Sequence, residues 1–206
     1  MTTWTRAVPV AVGALVAAVA LTGCSDSGSE KSEDKGSSGS HSDDSGSQAS
    51  QDKTAFRLGE ASPEQKSDIK ASAGAQYTVT PTKVATGTKA DMDKSGLEQD
   101  KEDGPQVPVY VWSTLSHDSG KTMELGDMDD DLVVRTDADT RTRALIVLGG
   151  GAKWPNCPAP DTSKTVSAGQ SEKICSAFLI PEGEKAAAVE LNRGYSKEPL
   201  EWPVKN

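Results

Sequence analysis

The chain has 206 residues, with 22 Lys and Arg set against 31 Asp and Glu for a formal charge of −9, and only 4% of it is aromatic. That acidity excludes the basic footprint a nucleic-acid-binding protein needs, and it disfavours electrostatic attachment to an anionic bilayer. A chain of this length accommodates one folded domain beside low-complexity sequence.

The N-terminus reads as a secretory signal. Arg6 supplies positive charge, and residues 8–20 are apolar apart from Pro9 and Gly13. The run is too short to cross a hydrocarbon core of about 30 Å as a helix. It ends in Leu21-Thr22-Gly23-Cys24, which resembles the bacterial lipobox. The resemblance implies removal of residues 1–23, lipidation of Cys24, and anchoring at the extracytoplasmic face of the cell membrane. Two acyl chains hold a protein there where one is marginal. Residues 24–53 follow as a tether. Within 25–53 there are 11 Ser and 4 Gly and no Val, Ile, Leu, Met, Phe, Tyr or Trp. Such a segment cannot bury enough apolar surface to offset its conformational entropy, so disorder over a span of about 30 Å is expected.

Residues 54–206 alternate short apolar runs with turn-formers. A short helix over 63–69 is the one helical expectation. Strands are expected over 76–85, 107–115, 132–135, 142–148, 174–180, 185–191 and 200–204. In the second of these Val107, Val109, Val111 and Leu115 share one face, and Tyr110 and Trp112 the other. Thr142–Leu148 is apolar on both faces, as in a central strand. Ile174, Phe178 and Ile180 face opposite to Cys175, Ala177 and Leu179. Asp118-Ser119-Gly120 reads as a turn, and Gly149–Gly151 as a flexible exit from a strand. About seven strands with period-2 patterning predict an all-β sandwich or barrel.

With Cys24 taken by lipid, Cys157 and Cys175 remain as an even pair in an oxidising compartment, and a disulfide between them is expected. A loop of that size contributes about 3 kcal/mol in the chain-entropy account. A metal or redox pair is the poorer reading, because neither cysteine has a nearby His or a C-x-x-C partner.

Two acidic stretches are the sharpest chemical signals. Asp91, Asp93, Ser95 and Gly96, with Glu102 at the twelfth place, match the ligand spacing of a calcium loop. Glu98 stands where that loop carries an apolar residue, and no amphipathic helix flanks it. Asp127, Asp129 and Asp131, continuing to Asp139, form a second cluster suited to a hard cation. A solvated loop is the plainer reading of both.

Ser119-Gly120-Lys121-Thr122 lacks the earlier glycine of a phosphate loop, since Leu115 stands in its place. His117, Asp118 and Ser119 are neighbours and cannot converge as a triad, and His117 reads as a solvent-facing turn residue. No hydrolytic, redox or phosphoryl-transfer constellation assembles, so the expectation is a protein without enzymatic activity and without a cofactor.

Three segments carry a family resemblance: 87–92 leading to the Pro108–Val111 strand, Thr165–Ser171 leading to Cys175–Pro181, and the closing Glu198–Trp202. Together they make the chain from Tyr77 to Trp202 similar to the immunoglobulin-like (DUF4352-like) domain of actinobacterial lipoproteins. The resemblance implies an immunoglobulin-like antiparallel β-sandwich and no catalytic residues. The expected role is a membrane-anchored interaction module for a protein, peptide or envelope polymer. Trp112, Trp154 and Trp202 read mainly as packing residues. Trp154 and Tyr195, in expected loops, are the candidate contact residues. The alternative is a small-ligand or calcium-binding module using loops 91–102 and 127–139.

Overall fold

A computed structural model of the protein describes residues 53–99, 102–146 and 152–205. The signal segment, Cys24 and the tether up to residue 52 lie outside the described residues, as do residues 147–151 with Leu148 and the glycine run. The elements in chain order are β1 (Gln65–Lys66), β2 (Gln76–Thr86), α1 (Lys89–Ser95), β3 (Gln106–Ser119), β4 (Met123–Glu124), α2 (Gly126–Asp129), β5 (Leu132–Thr136), β6 (Arg141–Arg143), β7 (Thr165–Val166), β8 (Ser171–Pro181), β9 (Ala186–Leu191) and β10 (Leu200–Pro203).

They form an antiparallel β-sandwich. One sheet runs β1-β2-β3-β8, the other β10-β9-β5-β6, and β4 and β7 make a small ribbon at one end. Val79, Val109, Val111, Leu115, Phe178 and Ile180 of the first sheet meet Leu132, Val134, Val189, Leu191 and Trp202 of the second in one buried core. The alternation expected of β3 and β8 is therefore present, because period-2 strands must turn their apolar set to the facing sheet. In β2 the parity changes midway. Pro81 pairs with Ser113 and Lys83 with Trp112, which leaves Thr82 as an extra residue. Proline cannot donate to the ladder and is confined to such irregularities. The bulge carries the inward face from Tyr77 and Val79 to Val84.

Both edges of the sandwich are closed by segments that change sheets. On one side Phe56 N–H donates to the Glu201 carbonyl at 2.8 Å, and Gly59 and Ser62 N–H then donate to Pro81 and Val79 of β2. On the other side β6 pairs with β5, after which Ala144 bridges Phe178 and Leu145 N–H donates to the Ala177 carbonyl at 2.7 Å. Open strand edges invite pairing with other chains, and crossing segments remove them.

Two expectations are corrected here. The expected strand over 142–148 is described as far as residue 146, and that part is not a central strand, because β6 is a three-residue edge strand and the chain leaves its sheet at Ala144. Residues 63–69 are not helical. Gln65 and Lys66 pair with β2, and Ser67 N–H donates to the Ala75 carbonyl, so a sheet edge claims the backbone groups a helix would use.

The outer faces of the two sheets differ. On the first, Tyr110, Cys175 and Ala177 lie beneath Met92 of α1 and a segment carrying Ala152, Trp154 and Cys157, which together form a second hydrophobic cluster. The Cys157–Cys175 disulfide is present and fastens that segment to β8. On the second sheet Glu190 is buried between two arginines. Arg135 Nε approaches it at 2.6 Å and Arg141 Nε at 2.9 Å. All these pairings and both clusters lie within residues 53–205, which carry their own core.

Candidate functional site

Three of the residues expected to wrap a calcium ion, Asp91, Asp93 and Ser95, are built into a helix. Thr88 caps α1 with a reciprocal box: its Oγ1 accepts from Asp91 N–H, and Asp91 Oδ2 accepts from Thr88 N–H at 2.8 Å. Hydrogen bonds from the Thr88 hydroxyl and backbone hold the Asp91 carboxyl below its usual range. Asp93 pairs with Lys89 across one helical turn. Ser95 Oγ donates to the Met92 carbonyl at 2.7 Å. Glu102 is exposed beyond Gly96, which ends the helix in the left-handed region at φ 75°. These oxygens serve capping and surface pairing.

The second acidic group is also dispersed. Asp127 Oδ2 accepts from Ser72 Oγ at 3.0 Å, which ties the turn after β1 to α2. Asp131 is exposed at the entrance to β5. Asp129 is buried and accepts from Ser176 Oγ at 3.0 Å. Among the described residues no group of three or more His, Cys, Asp or Glu is arranged to hold a metal ion.

Asp129 instead lines a cleft of about 420 Å³. Three features of the fold create it. Backbone hydrogen bonds from Leu125 and Gly126 to the carbonyls of Lys164 and Thr162 fix the start of α2. The chain after β6 crosses to β8, bringing Ala144, Leu145 and Ile146 to one wall. The disulfide draws Trp154 and Cys157 over the other. Both the inward-facing Ser176 and the outward-facing Cys175 and Ala177 line the space. The cleft therefore wraps around β8, the last strand of its sheet, beside the point where the chain after β6 pairs with it at Ala177 and Phe178.

Burial is the main cause that raises the Asp129 carboxyl from an ordinary value of 3.8 to about 6. The Ser176 hydrogen bond opposes the rise and the neighbouring Asp130 adds to it. Asp129 has no ion-pair partner among the described residues. Trp154 is 5% exposed and stacks edge-on against Tyr110 at 5.8 Å. Its indole N–H is buried without a partner among the described residues. Trp154, read from the sequence both as a packing residue and as a candidate contact, has its ring in the outer cluster and in a wall of the cleft. Tyr195 stands fully exposed in the loop between β9 and β10, away from the cleft.

His117 is corrected too. β3 continues to Ser119, and odd-numbered positions face inward, so His117 is 1% exposed. Its Nδ1 lies 3.0 Å from the Val166 carbonyl and its Nε2 2.9 Å from that of Ser119. It is not among the cleft-lining residues, and Ser176 has no imidazole base beside it among the described residues. The arrangement offers a concave space with apolar walls, one buried carboxyl at Asp129, and the exposed charges of Asp130 and Arg143 at its margin, and among the described residues no nucleophile is activated by an imidazole base. Ser176 and Ala144–Ile146 escaped the sequence reading. The available signal was a serine at an inward position of β8, between Ile174 and Phe178, because a buried hydroxyl requires a partner.

No family model and no curated protein matches the chain. Among solved structures it is similar to MPT63, a secreted protein of Mycobacterium tuberculosis in a 1.5 Å crystal structure, at 14% identity and a TM-score of 0.48, over 74% of this chain and 98% of that one.

Proposed function

We propose that the protein is a lipid-anchored, extracytoplasmic binding module without enzymatic activity, and that the cleft around β8 is where it holds its ligand. The lipobox-like Leu21–Cys24 and the Ser-rich segment behind it support an anchor and a tether. A disulfide supports an oxidising compartment, where such bonds persist. The observation that carries the binding role is the cleft, whose mostly aliphatic walls and single buried carboxyl match the general make-up of ligand sites. The ligand is a small molecule, or a side group of a peptide or envelope polymer that fits the same space.

The test is thermal unfolding of residues 53–205 with fractionated envelope extract, comparing wild type with Ala177→Leu, whose larger side chain fills the cleft. A rise in Tm for wild type that vanishes in Ala177→Leu is expected. A rise of equal size in both proteins places binding elsewhere and contradicts the reading.

A further inference from the structure

We infer that the cleft selects a small organic cation, a primary ammonium on an apolar stem, with Asp129 as the counter-ion. This rests on the binding role proposed above and adds the chemical class of the ligand.

Three observations lead there. First, the carboxylate is taken out of water with a single side-chain partner. Ser176 Oγ donates to Oδ2, and no Lys, Arg or His is ion-paired with either oxygen among the described residues. The backbone N–H of Asp129 itself is the other donor, and a buried carboxylate without a counter-charge is unfavourable, a deficit that an incoming cation relieves. Second, the walls beyond the carboxyl are apolar. Ala144, Leu145 and Ile146 face Ala177 and the Trp154 ring, and Ile146 is a large aliphatic side chain left 74% exposed at the rim. A charged head on an aliphatic stem satisfies both regions, whereas an inorganic cation leaves the walls uncovered. The metal alternative also lacks convergent ligands among the described residues. Third, the remaining charges at the cleft do not cancel Asp129. Asp130, which follows α2, adds negative potential. Arg143 of β6 is exposed and acts on Asp131. β8 and the disulfide-linked segment contribute no charged lining residue.

The pH dependence follows from the same geometry. The ammonium stays charged across the neutral range, so the carboxyl sets the profile. With Asp129 raised to about 6 by burial, the ion pair is complete at pH 7.5 and lost as pH falls through about 6. The charged groups that face it are Asp130 and Arg143.

The experiment titrates residues 53–205 with hexylamine, hexan-1-ol and hexanoate at pH 7.5 and pH 5, following the Trp154 indole N–H by NMR. Wild type, Asp129→Asn, Ala177→Leu and Ala159→Trp are compared. The last changes an exposed residue at the rim and tests the site without touching the core. Hexylammonium is expected to bind wild type at pH 7.5 and to weaken by about tenfold or more in Asp129→Asn and at pH 5. Both blocking variants are expected to lose it. Equal binding of hexanol and hexylamine, or undiminished amine binding to Asp129→Asn, overturns the cation assignment and leaves the cleft as a binding site. Amine binding that survives both Ala177→Leu and Ala159→Trp, or no binding of any probe to wild type, overturns the cleft itself.

Discussion

Burial takes the Asp129 carboxyl out of water, and the sign of its contribution to stability follows. The folded value is about 6 against an ordinary 3.8, so the folded state binds a proton that the unfolded chain has released. The stability supplied by the neutral carboxyl is complete below about pH 4 and lost as pH rises through about 6, at a cost of about 3 kcal/mol. Asp129→Asn keeps an acceptor for Ser176 and removes the titration. Urea unfolding from pH 4 to 8 is expected to show wild type falling relative to the variant by about 3 kcal/mol across that window, the two converging near pH 4. Parallel curves would show that the carboxyl is solvated. At this scale the strand positions were legible where alternation was strict: Val107, Val109 and Val111 face the core, and Tyr110 faces outward. Trp154, His117 and Asp129 were not, because each is buried by segments distant in sequence. His117 meets Val166, Trp154 meets Tyr110, and Asp129 meets Ser176. A turn-like composition around a residue carries no record of what will pack over it.

Single elements show the same division. β2, β3, β8, β9 and β10 were readable because each is long enough for a period to show. β1, β4 and β7 have two residues each, too few for any period. α1 was hidden by its acidic composition, though Thr88 and Asp91 stand three apart as a capping pair does. The apolar run beginning at Ala144 misled, since it follows the Arg-Thr-Arg strand β6 out of its sheet and bridges β8 at Phe178, central to neither sheet. The segment from Ala152 to Cys157 has no regular structure of its own and depends on its fastening to β8. Replacing both Cys157 and Cys175 by Ser is therefore expected to cost about 3 kcal/mol. Native-state hydrogen exchange of that variant is expected to quicken at Cys157 N–H, which is bonded to the Trp154 carbonyl. Core amides such as Val79 N–H, bonded to Ser62 Oγ, would slow-exchange as before once the global loss is subtracted. Uniform acceleration across both clusters would show that the disulfide supports the whole domain and not one wall of the cleft.

On the scale of the molecule, the chain combines a predicted anchor and tether with a sandwich whose edges are both covered by crossing segments. Closed edges leave few ways to bind by strand addition. That directs attention to a concave site, and the cleft around β8 is formed where the second crossing segment, α2 and the disulfide meet. Fold class and the disulfide could be argued from sequence because they depend on local periodicity and on cysteine parity. The cleft could not, because its walls come from β6, β8, α2 and a loop, and only their juxtaposition makes it. The most direct test of this account is photo-crosslinking in intact cells, with a photoreactive residue at Ile146 on the cleft rim or at Tyr195 in the β9–β10 loop. The account predicts a ligand adduct in the membrane fraction from position 146 and none from position 195. An adduct from position 195 with none from 146 would contradict it.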